Sequence, residues 1–333
     1  MGKIRYDRKT RERHTCRSPV FLSALQAAAG CGMIGENMKE DGKMKKKVLL
    51  LGANGLVGRA AAAALREAYQ VIPAAGHSAP AGGYCLPVEE PERLAEVLER
   101  EAPEIVISSI RGDFGRQMAF HEALAEWMAE REARLLYMST ANVFDGDLSR
   151  PWTETDTPRP ESDYGVFKRD CELMLEERLG ERLIVFRLAS VWAPDCPRIR
   201  LLEEHSQSGE RHHTWRGDAV NVTLARQIGD YARYVLEHDL RGIFHVGTTD
   251  TVDYFAFEKM LCEALGIQEP VFEIEETGRE AYQAVLPGRK EIPDALQMMT
   301  AQVLEVLRSC SGSGEVMAGC GVNRKNGTRS AFE

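Results

Sequence analysis

The chain has no apolar run approaching the roughly 18–20 residues that a membrane-spanning helix needs, so a membrane is not an expected partner. Positive charge is in deficit too. There are 42 Lys and Arg against 51 Asp and Glu, a formal net charge of −9, and no basic face recurs through the body. Nucleic acid is therefore not an expected partner either. An anionic small molecule stays open, because local backbone amides can hold one whatever the overall charge. There is no Cys-x-x-Cys pair and no Cys/His cluster at ligand spacing, so no structural zinc is expected. Cys16, Cys31, Cys310 and Cys320 lie near the ends. Cys85, Cys171, Cys196 and Cys262 are scattered through the body, a usage that fits reduced thiols in a cytoplasm. No internal repeat and no Pro-rich linker divides that body.

What is present suits a globular protein: 333 residues, 44% apolar and 28% charged, enough for one large or two ordinary domains. The ends differ from the middle. Residues 1–17 carry seven Lys or Arg against two acids, and the weakly apolar stretch 18–35 contains a lipobox-like Ala28-Ala-Gly-Cys31. This pattern resembles an export leader, but Ser23 and Gln26 interrupt its apolar part, and Asp7 and Glu12 its basic part. Met44-Lys-Lys-Lys47 is a natural start for the strand that follows. Residues 1–43 are expected to be a disordered or non-native extension. Residues 309–333, rich in Gly, Ser and Asn without periodicity, are expected to be a disordered tail.

The body opens on Lys47-Val-Leu-Leu-Leu-Gly-Ala-Asn-Gly-Leu-Val-Gly58, an apolar strand running into three glycines and then an alanine-rich helix. A strand that stops at glycine and turns straight into a helix aims the helix's free N–H groups and positive dipole end at a pyrophosphate. Gly52 allows the turn, Gly55 lets the backbone approach phosphates, and Gly58 lets helix and strand pack closely. The spacing is G-x-x-G-x-x-G.

Apolar runs then alternate with amphipathic segments. Strands are expected at 47–52, 70–75, 104–109, 134–139, 183–188 and 242–247, and helices at 57–68, 91–101, 116–132, 162–178, 223–237 and 253–265. Ile105-Val-Ile107 and Leu183-Ile-Val-Phe186 suit strands buried on both faces. The alternation predicts an α/β fold, a Rossmann-type doubly wound parallel sheet, with a smaller lobe from about residue 190 over the cleft. Ligands sit beyond the carboxyl ends of such strands, where Gly52, Ser108-Ser109 and Ser139-Thr140 fall. His212-His213 is expected on a surface loop.

Twenty-four residues after Thr140 comes Tyr164, with Lys168 one helical turn further on the same face. A phenol near its reference pKa of about 10 is a sluggish acid at neutral pH. A neighbouring ammonium is expected to lower it, and the Thr140 hydroxyl to hydrogen-bond the same substrate oxygen.

Together these motifs resemble an extended short-chain dehydrogenase/reductase, and within it the dTDP-4-dehydrorhamnose reductase (sugar-nucleotide-binding) family, over about residues 44–305. The likeness rests on Gly52–Gly58, on Ser139-Thr-Ala-Asn-Val-Phe-Asp-Gly146, and on Tyr164-Gly-Val-Phe-Lys168 with Glu172. Arg187-Leu-Ala-Ser-Val-Trp-Ala-Pro194 and Gly242-Ile-Phe-His-Val-Gly247 add to it. The resemblance implies hydride transfer between NADP or NAD and the 4-keto carbon of a nucleotide sugar. It implies Tyr164 as proton donor, Lys168 on the nicotinamide ribose, and Thr140 orienting the keto oxygen. It further implies a cofactor groove formed by Gly52, Asn54, Gly55, Leu56, Val57, Val88, Ser109 and Ile110 together with Tyr164 and Lys168, no metal, a cytoplasmic setting and a homodimer as the assembly to look for.

The chain also departs from the family pattern. Ala141-Asn142 replaces Asp-Tyr, Pro87 replaces an acid beside the adenine, and Ser108-Ser-Ile-Arg111 followed by Gly-Asp-Phe-Gly replaces Asn-Ala-Ala-Ala. Ser190 stands where Trp is frequent. The second strand ends Ala74-Ala-Gly-His77-Ser78 with no acid for a ribose 2′-hydroxyl, which leans towards NADP. Two other readings stay open: an epimerase holding NAD, and a non-catalytic binding or regulatory subunit.

Overall fold

The computed structural model describes residues 44–312. The two terminal segments singled out in the sequence lie outside the described residues, except that 309–312 form the last turn of a helix rather than the start of a tail.

Strand β1 (Lys47–Leu51) leads into α1 (Leu56–Leu65), and β2 (Gln70–Ala75) and β3 (Tyr84–Cys85) follow. Next come α2 (Pro91–Glu101), β4 (Ile105–Ser108), α3 (Phe114–Ala129), β5 (Arg134–Thr140), α4 (Asp163–Leu179) and β6 (Leu183–Leu188). The chain then runs through β7 (Ser190–Trp192), α5 (Pro197–Ser208), β8 (Arg211–Val220), β9 (Val222–Leu224), α6 (Ala225–Glu237) and β10 (Gly242–Val246). It ends with β11 (Val252–Asp253), α7 (Tyr254–Leu265), β12 (Val271–Gln283) and α8 (Thr300–Gly312).

The seven-stranded sheet has the order β10-β6-β5-β4-β1-β2-β3, all pairs parallel, with registers such as Leu49↔Val106 and Tyr137↔Val185. The strand order reverses between β1 and β4, which opens a crevice at their carboxyl ends. Because both faces are covered, the middle of each central strand is a continuous apolar run. Leu49, Val106, Leu135 and Val185 face α2, α3 and α4, while Leu50, Ile107, Leu136 and Ile184 face α1 and α6. The alanine run of α1 and Gly229 of α6 let these two helices press together; a Cβ on Gly229 would lie 2.6 Å from the Ala60 carbonyl oxygen.

The lobe has its own core of Trp192, Leu202, Val220, Leu224, Phe257, Leu261 and Val303. It contains a three-stranded sheet β11-β8-β12 and the pair β7-β9. The stretch from about residue 190 is not all lobe, since α6 and β10 return to complete the large sheet. His212 and His213 lie on β8, not on a loop: His212 is buried against Glu258 at 3.1 Å, and His213 is exposed. Among the described residues no helix is long and apolar enough to cross a membrane, and no cluster of His, Cys, Asp or Glu could hold a metal ion.

Candidate functional site

The crevice begins at the turn after β1. Gly52 has φ +84°, and a Cβ there would lie 2.7 Å from the Ser109 carbonyl oxygen, so only glycine fits between the β1 and β4 ends. Gly55 caps α1 without any side-chain hydrogen bond. The first-turn amides of Leu56, Val57 and Gly58 have no helical acceptor, and α1 begins just past the carboxyl end of β1. A Cβ on Gly58 would fall 2.1 Å from the Gly52 carbonyl oxygen, which fixes the close packing of helix on strand. Asn54 donates to the Ser78 carbonyl (3.1 Å) and hydroxyl (3.2 Å), tying this turn to the loop after β2. Ser109 is held by its hydroxyl on the Leu51 carbonyl at 3.0 Å. Val88 and Ile110 are half-buried against the α2–α3–α4 core at the same end of the sheet.

Not every hydroxyl at a strand end faces this space. Ser108 is buried with its Oγ 2.8 Å from His121 Nε2, and Ser139 donates to Glu172 at 2.5 Å. Both belong to the packing beneath α3 and α4. Glu172 also receives Arg187 (Nε 3.1 Å, Nη2 2.8 Å) and Arg169 (2.9 Å). Burial alone would raise the Glu172 carboxyl; Arg187, Ser139 and Arg169 outweigh it and hold it below the ordinary range.

Thr140 and Tyr164 are brought together by the segment between β5 and α4. Thr140 caps the 3-10 turn Ala141–Phe144, accepting from the Asn142 amide at 3.3 Å and donating to Asn142 Oδ1 at 3.0 Å. Asp145 then accepts from the amides of Glu161 (2.6 Å) and Ser162 (3.2 Å) and from the Ser162 hydroxyl. Ser162 in turn caps α4 by accepting from the Gly165 amide at 3.0 Å. The Asp145 and Gly165 positions in the motifs are thus the joint that sets Tyr164 at the cleft.

Tyr164 is 39% exposed, accessible to a ligand. Burial of its hydroxyl raises the phenol above its ordinary value, and the Arg111 guanidinium and the Thr140 hydroxyl pull it partly back. The expected lowering by Lys168 is not what this geometry displays. Lys168 is buried and donates to the Met138 carbonyl (2.8 Å) and to the Tyr137 hydroxyl (3.2 Å). Desolvation brings its ammonium down to about 8, with Arg111 adding to the drop and Cys171 and Glu172 opposing it.

In the sequence Arg111 and Phe114 stand out only as departures from the family pattern, and Tyr137 has no assigned role. Phe114 stacks on Phe167 with centroids 4.7 Å apart and lies 5.9 Å from the Tyr164 ring, so the first residue of α3 forms one wall of the site. The lack of resemblance of this stretch after β4 to the expected alanine run was the available signal. Nothing in the residue pattern marked Tyr137, which reads as an ordinary core position of β5.

The arrangement offers free helix amides for a pyrophosphate, an accessible phenol beside a threonine hydroxyl, and an ammonium one turn away. This set can polarise and protonate a carbonyl oxygen next to a bound dinucleotide. A family model described as the RmlD substrate binding domain matches residues 113–300. The dTDP-4-dehydrorhamnose reductase of Escherichia coli strain K12 is 28% identical over 230 residues, 63% of this chain and 76% of that protein. The protein of the same name from Shigella flexneri is 30% identical over 231 residues, again 63% and 76%. A solved dTDP-4-dehydrorhamnose reductase from Bacillus anthracis in complex with NADP superimposes at a TM-score of 0.67 and 18% identity, over 79% of this chain and 99% of that one. At that identity the structural likeness is one of fold.

Proposed function

The chain belongs to the RmlD substrate-binding family, and from that premise we propose that it reduces the 4-keto group of a nucleotide-activated sugar with NADPH or NADH. It is an NAD(P)-dependent oxidoreductase of the short-chain dehydrogenase/reductase type. The observation that carries the reading is accessible Tyr164 beside Thr140 and one helical turn from Lys168.

The glycine turn fits a dinucleotide, because Gly52 and Gly58 hold the start of α1 tight against the strand ends and Gly55 caps the helix with no side chain beside its first amides. When bound, the reduced dinucleotide supplies the hydride. Leu56 and Val57 amides would hold its pyrophosphate, and Asn54, Val88, Ser109 and Ile110 would line its groove. Lys168, with donors on Tyr137 and Met138, would offer its remaining N–H to the nicotinamide ribose. Tyr164 Oη would pass its proton to the keto oxygen. Thr140 would turn its hydroxyl from Asn142 Oδ1 to that same oxygen and share the developing charge. The end of β2 carries no carboxylate to bind a ribose 2′-hydroxyl, which favours NADP. The lobe of β7, β8, β9 and β12 would close over the sugar nucleotide.

The test is loss of reduced-cofactor absorbance when purified protein meets a dTDP-4-keto-6-deoxysugar. Turnover in the wild type and near-total loss in Tyr164→Phe are expected. Product formed without net cofactor oxidation would point to an epimerase, and nucleotide binding without turnover on any keto-sugar nucleotide to a non-catalytic subunit.

A further inference from the structure

We propose that Tyr137 is a positioning residue for Lys168: its phenol fixes the direction of the ammonium and keeps it charged, leaving one N–H turned to the cleft. The role in turnover rests on the reductase reading above; the contact itself does not.

An ammonium has three donors and no acceptor. Two are spoken for, by Tyr137 Oη at 3.2 Å and the Met138 carbonyl at 2.8 Å, both from β5. The Nζ atom also lies 4.6 Å from the centre of the Tyr137 ring, within cation–π range. The other groups around it do little to hold its charge. From α4 itself, Glu172 is ionised but shared among Arg187, Arg169 and Ser139, and the Cys171 thiol is pushed up to about 11 by burial and so stays neutral. From α3, burial and then Lys168 itself drive His121 down to about 3, so it is neutral too. From the loop after β4, Arg111 repels. Glu172 therefore offsets only part of the burial, and the direct acceptors of the ammonium are neutral, the Met138 carbonyl and, from a side chain, the Tyr137 hydroxyl.

The tyrosine is itself held. Its ring meets the His121 ring edge-on at 5.1 Å and 87°, and His121 is fixed by Ser108 Oγ and the Gln117 carbonyl, each at 2.8 Å. Burial keeps the Tyr137 phenol well above its ordinary range, so it does not compete with Tyr164 as an acid. The β5 row therefore divides the work: Thr140 at the strand end faces the substrate, and Tyr137 three residues earlier aims the lysine.

The test is Tyr137→Phe, which keeps the ring and removes only the hydroxyl. Two readouts are required. Titration of Lys168 by ¹⁵Nζ NMR on the ligand-free protein should give about 8 in the wild type and a value lower by about one unit or more in the variant. In the enzyme assay, kcat should fall about tenfold with a raised KM for the dinucleotide, and its alkaline limb should move down with the Lys168 titration. An unchanged Lys168 titration and alkaline limb would overturn the proposal. If the wild type reduces no keto-sugar nucleotide, the NMR arm still decides the contact, so failure of the reductase reading is separable. Should the variant not fold, an experimental structure of the wild type in which Lys168 Nζ makes no hydrogen bond to Tyr137 Oη would overturn the proposal by itself.

Discussion

A Cβ placed on Gly165 would lie 2.3 Å from the carbonyl oxygen of Asn142. No contact that close survives in a packed protein, so α4 can rest on the 3-10 turn after β5 only because the residue following Tyr164 has no side chain. Gly165→Ala must push the helix start outward and Tyr164 away from Thr140. The expected outcome is a loss of about 1–3 kcal/mol of stability, typical of overpacking. The fall in kcat should be larger than that in dinucleotide binding; thermal melting and steady-state kinetics check both.

Asp145 holds the same joint by polar means, through two amides and the Ser162 hydroxyl. Removing a charged acceptor leaves those donors to water at best. Asp145→Ala should cost about 1–3 kcal/mol, and should lower kcat more than Asp145→Asn, which keeps an oxygen. Denaturant titration alongside kinetics separates the two effects.

Glu172 is 2% and Arg187 1% exposed, so neither charge can turn to water when its partner goes. Glu172→Gln should destabilise by about 3–5 kcal/mol, and Arg187→Met combined with Glu172→Gln by clearly less. A double-mutant cycle measured by chemical denaturation tests this; equal losses in the single and double variants would refute it.

Two buried histidines govern the acid side. Burial, and then the nearby cations Lys168 and Arg187 respectively, bring His121 and His245 each to about 3. Unfolded histidine takes its proton near 6.5, so between about 6.5 and 3 the unfolded chain binds more protons and stability falls as pH falls. Two such groups should remove about 2 kcal/mol between pH 6 and 5. Unfolding free energies measured across that window should show the slope, and His121→Gln should reduce it by roughly half.

The large sheet was legible because buried parallel strands announce themselves: Val48–Leu51, Ile105–Ile107 and Leu183–Phe186 are unbroken apolar runs. The lobe was not. Strand β8 reads Arg-His-His-Thr-Trp-Arg-Gly-Asp-Ala-Val, and β12 is rich in Glu, since one face of each meets water. Their pairing, Val271↔Arg211 onward, joins distant segments and leaves no local period. That is why His212 was expected on a loop. In the site, the glycine turn and the Tyr164–Lys168 spacing could be read from the sequence. The partner of Lys168 could not, because Tyr137 sits in an apolar strand and shows its role only where β5 meets α4.

The return of α6 and β10 to the large sheet has a consequence for how the protein comes into being. Helix α1, which follows the glycine turn, rests its alanine face on α6 around Gly229, and β6 stays an open edge until β10 is laid beside it. During synthesis the nucleotide half therefore waits, incomplete, while the intervening segments of the lobe emerge. Long-range pairing of this kind folds slowly and leaves apolar surface uncovered in the meantime. The two halves are thus not separable modules that could be cut at residue 190 and exchanged: the nucleotide half closes only with a piece of chain that arrives after the lobe has begun.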